Sequence, residues 1–394
     1  MIEIKGKYNK AVIFSDFVDE MAEKYIKLTC ASPVLKNSVI RIMPDVSACR
    51  GCVIGTTMTV HDAVIPSFIG KDGGCGIIVQ KFETDGEINF DKLDGHLKNN
   101  VVSGERSVIH SLYPRESIAK LRCINSVNTV AVAKNFCTLG LGNHFIEIDI
   151  GEHGEKYLVV HSGSGVLGQC VLQHYQNLAF DSVNRGNSPQ IKELKEEYRA
   201  AIKDLVFEPR DLEELNSGDL PRVFCWLKGA DKDDYLHDID IVQQYASLNR
   251  IAITHEIMEA IGGVEKESFE CVHNYIDIKH GILHKGSVSA QAGENVIIPI
   301  HMKAGSLLGI GKGNGNFNYS APHGAGKRGY NLMLNLDEYI EDMKGIHSAT
   351  VSERTLGESP RAYKDVSQVI DYVRETVEVK EMIKPVYNFR EEKR

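Results

Sequence analysis

The chain has 394 residues, 42% of them hydrophobic and 25% charged, with a formal net charge of −9. That length allows a large core in one α/β domain or two smaller ones. The acidic balance excludes a surface coated in basic patches for non-specific nucleic-acid binding, though not a local basic groove. No apolar run reaches membrane-spanning length and the first seven residues lack the apolar core of a signal peptide, so the expectation is no membrane span and a cytoplasmic protein. Nine scattered cysteines do not read as a disulfide framework.

Residues 11–14 predict a strand and residues 15–28 a helix capped by Ser15. Residues 40–46 predict a strand ending in a loop that holds Cys49 and Cys52. A zinc knuckle needs a second pair nearby, and none follows, so these two are expected to be free thiols. Residues 64–70 and 77–80 read as strands on either side of a Gly-rich turn. Asp72 and Cys75 in that turn are three residues apart across two glycines, so carboxylate and thiolate can converge on one point. A thiolate binds softer first-row metals and can bridge two of them. A helix is expected within residues 83–100.

Phe145, Glu147 and Asp149 alternate with Ile146 and Ile148, as on a strand with one polar face. Asn143 and His144 stand at its mouth. Residues 157–160 form another strand, which ends in His161. The stretch from approximately 188 to 262 is charged and helical, an expected helical insertion to which the sequence assigns no chemistry, with Gly262 and Gly263 as its stop signal. Trp226 inside it reads as packing. A strand over 269–275 carries His273 and Asn274. A second apolar run covers 295–302, a Gly-rich stretch covers 305–315, and the C-terminal region reads as a helix over 365–377 and a charged tail.

His323 precedes Gly324 and Gly326, with Lys327 and Arg328 behind. Backbone N–H groups of a Gly-rich turn make an anion pocket, the basic pair favours phosphate, and a neutral imidazole can attack phosphorus. Asp72, Cys75, His144, His161 and His273 supply one carboxylate, one thiolate and three imidazoles, enough for two metal ions if Cys75 bridges them. This mixture suits Mn²⁺, Zn²⁺ or Co²⁺ better than Mg²⁺. The residues by themselves therefore point to a metal-dependent phosphoryl- or nucleotidyl-transfer enzyme.

Met43-Pro-Asp-Val46, Asp72-Gly-Gly-Cys-Gly76, Leu139-Gly-Leu-Gly-Asn-His-Phe145 with Glu147, His161-Ser-Gly-Ser164, His273-Asn274, Lys285-Gly286, His323-Gly-Ala-Gly326 and Ala362-Tyr-Lys364 follow one another in this order. This series resembles the RtcB-type RNA-splicing ligases over nearly the whole chain. The resemblance implies an α/β, RtcB-like fold of mixed sheets around a deep metal-lined cleft, with residues 1–394 as a single catalytic domain. It implies an enzyme that uses GTP and two Mn²⁺ ions per subunit to join RNA ending in a 3′-phosphate or 2′,3′-cyclic phosphate to RNA with a 5′-hydroxyl, in RNA repair or tRNA splicing. An archease-like activator would be a further partner.

The same resemblance makes His323 the nucleophile that takes GMP and Cys75 the bridge between two ions. One ion is also expected on Asp72 and His273, the other on His144 and His161. Asn143, His144, Glu147, His273 and Asn274 would hold the guanylate, together with Pro299, Ile300, His301, Met302, Ser306, Gly324, Ala325, Gly326 and Arg390. The chain departs from the usual pattern at Ser47, Gly165, His301, Asn331 and Arg390. Here a histidine, an arginine, a small residue, an arginine and a lysine are usual, in that order. Two readings remain beside the ligase: a metal-dependent cyclic-phosphate phosphodiesterase, which would not need His323, and a non-catalytic RNA-end-binding protein.

Overall fold

The computed structural model describes residues 1–102, 111–140, 142–328 and 333–391. Among them a twelve-stranded mixed sheet spans the chain from one end to the other. In spatial order its first half runs Ile2–Lys5, Lys10–Ile13, Ile40–Ser47, Ile54–Thr59, Ile282–Lys285 and Gly263–Asp277. The second half continues with Cys75–Thr84, Lys156–Ser162, Phe145–Ile150, Val377–Phe389, Gly305–Gly311 and Asn295–His301. Neighbours are antiparallel except Lys10–Ile13 and Ile40–Ser47, which run parallel.

Strand alternation splits this sheet between two cores. Ile78, Ile146, Leu158 and Val160 point into a large core shared with the helices. Ile77, Val79, Phe145 and Val159 point the other way, into a second core with Val296, Ile298 and Leu307 of the hairpin Asn295–Gly311. Each fully buried Ile, Val or Leu contributes about 1.5–3 kcal/mol. Cys75 and His161 have the parity of Ile77 and Val159, so they face the second core too, where a cleft opens between sheet and hairpin. Glu147, two residues after Phe145, shares that parity.

Several local expectations are revised. The first helix is Glu20–Cys30, and Asp19 caps it by accepting the Ala22 N–H at 2.9 Å; a carboxylate at this position also complements the helix dipole. Ser15 bonds to the Phe17 carbonyl instead. Residues 66–69 form a helical turn, not a strand, with Pro66 at its first position. The Gly-rich stretch after residue 305 is the strand Gly305–Gly311. The charged tail is the thirteen-residue strand Val377–Phe389, whose Glu378, Lys380 and Lys384 are exposed while Val377, Ile383 and Tyr387 are buried.

Helices begin earlier than residue 188. Gly165–Arg185 presents Leu167, Val171, Tyr175 and Val183 as a buried stripe. Pro189–Ile202 and Pro209–Asn216 follow, and then the 33-residue helix Gly229–Ile261, which ends at Gly262 with φ 63°. This long helix packs on the strands Cys75–Thr84, Lys156–Ser162 and Gly263–Asp277. Trp226 is buried as packing, and all nine cysteines are free. No helix among the described residues is long and apolar enough to cross a membrane.

Candidate active site

Five side chains from four segments meet where these strands end. Cys75 Sγ lies 3.3 Å from His144 Nε2 and 3.2 Å from His161 Nε2. Asp72 Oδ2 is 3.0 Å from His144 Nε2, and His273 Nε2 is 3.1 Å from His161 Nε2. The ligand atoms of Cys75, His144 and His161 all lie within 4.8 Å of one another, in a buried group able to hold a metal ion. The distances group the ligands differently from the expected sharing: Asp72 adjoins His144 and His273 adjoins His161, with Cys75 between the two pairs.

The chemistry of this mixed thiol, imidazole and carboxylate set fits a first-row divalent transition-metal ion better than Mg²⁺. Burial, and then the neighbouring histidines, hold His161 and His273 far below the usual imidazole range. Each is therefore neutral, the form that binds a metal. His144 Nδ1–H donates to the Leu139 carbonyl at 2.8 Å, which aims Nε2 into the cluster. Burial opposes ionisation of Asp72, but His144 and the backbone N–H groups of Ser164 and Gly165 hold it well below the usual carboxylate range. Burial raises the Cys75 thiol, so a cation beside it is what would make it a thiolate. A Cβ on Gly163 would sit 2.0 Å from Asp72 Oδ1, so only glycine lets this carboxylate reach the Ser164 N–H.

The helix Gly229–Ile261 holds this cluster in place, a role its sequence does not announce. Arg250 is fully buried, with its Nε 2.6 Å from Glu270 Oε1. Its Nη1 donates to the carbonyls of Gly74 and Ser162, both at 2.7 Å. One guanidinium thus ties the turn before Cys75 to the strand end after His161. Asn249 beside it donates to the Thr138 carbonyl and to Ser162 Oγ, both at 3.0 Å. Arg250→Met would leave Glu270 with only the Ser247 hydroxyl and remove a donor from each of two carbonyls. The expected loss is about 3–5 kcal/mol of unfolding free energy, read from urea denaturation.

His323 lies next to the cluster, its ring centroid 4.9 Å from that of His273. Its Nδ1–H donates to Asp45 Oδ2 at 2.5 Å, and its backbone N–H donates to the same oxygen at 3.2 Å. Asp45 is fully buried. With the proton fixed on Nδ1, Nε2 carries the free lone pair. Lys364 clamps the Asp45 segment by donating to the carbonyls of Pro44 and Val46 at 3.0 and 3.1 Å. A Cβ on Gly326 would lie 2.5 Å from the Asp45 carbonyl oxygen, so glycine is needed where this loop crosses the strand.

A cleft of about 190 Å³ opens in front of His323. It is lined by most of the expected nucleotide residues: Asn143, Glu147, His273, Pro299 to Met302, Ser306, Gly324 to Gly326 and Arg390. Two of the expected residues face elsewhere. Asn274 turns its amide to the Asp72 carbonyl at 2.9 Å, and His144 lines a separate opening beside Asp72. Arg390 donates to the Asn143 carbonyl at 3.1 Å and stands over the Phe145 ring. His301 accepts N–H groups from Lys303 and Ala304, which folds its ring into the turn.

Burial raises Glu147 to about 7, against the opposing pull of Arg390 and an Asn388 bond of 2.7 Å. Below the ordinary value of 4.5 both folded and unfolded chains hold this proton. As pH rises from there to about 7 only the folded chain keeps it, so this carboxyl's contribution to stability falls across that window. Urea midpoints taken over the window should decline less steeply for Glu147→Gln than for the native chain; parallel slopes would refute the assignment.

The altered positions now have surroundings, except Asn331, which lies outside the described residues. Ser47 lines the cleft. The space beside Gly165 is taken by the Asn135 amide, whose Oδ1 accepts from the Val166 N–H at 2.9 Å. Nearby cations are already engaged: Lys303 with Asp342 and Lys327 with Glu358, both at 2.7 Å, and Arg328 with the Tyr363 carbonyl.

Fold and site together define a Cys/His/Asp centre that adjoins an oriented histidine in a cleft. The family model described as tRNA-splicing ligase RtcB matches residues 115–391. The chain belongs to the RtcB family. The RNA-splicing ligase RtcB1 of Escherichia coli strain ATCC 25922 is 28% identical over 389 residues, covering 86% of this chain and 87% of that protein. The RNA-splicing ligase RtcB of E. coli K12 is 27% identical with the same coverage. A tRNA-splicing ligase RtcB of Aeropyrum pernix is 25% identical over 293 residues, 60% of this chain and 55% of that protein.

Proposed function

We propose that residues 1–394 act as one catalytic unit, an RNA ligase that joins 3′-phosphate or 2′,3′-cyclic-phosphate ends to 5′-hydroxyl ends. GTP is the energy source and Mn²⁺ the metal. The observation that carries this reading is the hydrogen bond from His323 Nδ1 to buried Asp45. It leaves Nε2 as a nucleophile inside the cleft, next to the ligand cluster. A hydrolase would need the ligands but not this support, so the pairing favours the ligase.

In this reading Asp72, Cys75 and His144 would hold one ion, and Cys75, His161 and His273 would hold the other. These ions would offset phosphate charge at the reacting centre. His323 Nε2 attacks the α-phosphorus of GTP, an N–P bond forms, and pyrophosphate leaves with the electron pair of the broken P–O bond. Asp45 stabilises the imidazolium that develops. Glu147 and Arg390 flank the guanylate. The GMP then passes to the RNA 3′-phosphate, so that the 5′-hydroxyl can displace it.

The test is incubation with labelled GTP and Mn²⁺. A phosphoramidate predicts protein-bound label that survives base and is lost in acid. Absence of label under conditions where two ions bind would refute the ligase reading.

A further inference from the structure

The ligand cluster has two openings. His161, His273 and His323 line the cleft described above, whereas Asp72 and His144 line a second, separate cavity. Lys71 and Lys134 stand at that second mouth, both exposed, and no side-chain partner among the described residues is recorded for either. The carboxylates lining it are Asp72, which belongs to the cluster, and Glu391.

Lys71 also lines a neighbouring cavity. There it is joined by Arg50, Arg210 and Arg222, and no carboxylate contributes to that lining. The arginines are aimed from behind. Buried Asp211 holds Arg50, while Glu214 lies 3.8 Å from Arg210 and 4.0 Å from Arg222. Arg222 also sits 4.2 Å above the Phe180 ring. Five cations thus line two cavities that share Lys71, on a chain whose net charge is −9.

A single phosphate would need one or two such groups. Five cations beside the ligand cluster match a polyanion whose end must reach that cluster. We infer that the two cavities together form a channel for the backbone of the RNA strand carrying the 3′-phosphate, with Lys71 and Lys134, which line the cavity of Asp72, at the terminal phosphates and Arg50, Arg210 and Arg222 on those upstream. The inference rests on the ligase reading for the identity of the strand. GTP and RNA then reach the cluster through different openings, and neither has to leave before the other binds.

The experiment is polarisation of a fluorescent single-stranded RNA ending in a 3′-phosphate, titrated with the full chain at increasing salt and without GTP. Each phosphate contact removed should lower the slope of log K against log salt by about 0.7, so Lys71→Ala/Lys134→Ala should lower it by about 1.4. Affinity at low salt should fall about tenfold or more for this variant and for Arg210→Glu. Lys380→Glu, on an exposed residue that lines neither cavity, should bind as the native chain does. Thermal melts check that each variant is folded.

Native-like binding by both channel variants would overturn the inference, as would an equal loss in Lys380→Glu or no RNA binding by the native chain. The ligase reading is scored separately by GTP labelling. Labelling with unaffected RNA binding sinks the channel alone, and weakened RNA binding without labelling sinks the ligase alone.

Discussion

His323→Ala should abolish covalent labelling by GTP while leaving two equivalents of bound Mn²⁺. The substitution removes the Nε2 lone pair, and His323 is not among the ligand atoms of the cluster. Asp45→Asn is the finer probe. It keeps the shape of a buried side chain but can present its N–H to the ring, which favours the wrong tautomer and withdraws the charge that supports a developing imidazolium. Labelling should slow on the order of 10²–10⁴-fold, with metal content unchanged and a melting temperature close to native. Label on the His323→Ala protein would place the nucleophile elsewhere. A fully active Asp45→Asn would mean that the 2.5 Å bond serves packing alone.

Cys75→Ala should reduce bound metal from two ions to one or none, measured by elemental analysis after dialysis. Cys75 sits between both ligand pairs, so its loss takes a donor from each site, and Ser should recover part of the binding as a harder oxygen ligand. The grouping of the others gives a second test. Asp72→Ala/His144→Ala should strip one ion and leave the site of Cys75, His161 and His273. If instead Asp72 were paired with His273, and His144 with His161, the same double variant would damage both sites and leave neither occupied. Two ions retained by Cys75→Ala would refute the bridge itself.

The sequence determined the chemical types. The thiolate, the carboxylate and the three imidazoles of the cluster are each announced by glycine or strand-end context, as is the Gly-flanked His323. Those signals are local, because a tight turn or an alternating strand imposes residue preferences over a few positions. The ordered motifs also carried the family resemblance.

The tertiary structure decided the partners. Asp45 and His323 are 278 residues apart, and a hydrogen bond across that separation has no periodicity to reveal it. Asn249 and Arg250 lie in a helical stretch to which the sequence assigns no chemistry, yet segments around Gly74, Thr138, Ser162 and Glu270 converge on them. Their polarity is satisfied by carbonyls that only folding brings there. The C-terminal strand was hidden in the same way, because Glu378, Lys380 and Lys384 are exposed on one face of the pleat while Val377, Ile383 and Tyr387 fill the core. Local preference selects the turns and ligand types. The division of five ligands into two groups, and the orientation of the nucleophile, follow from which distant strands pair, since pairing sets the distances over which donors and charges act.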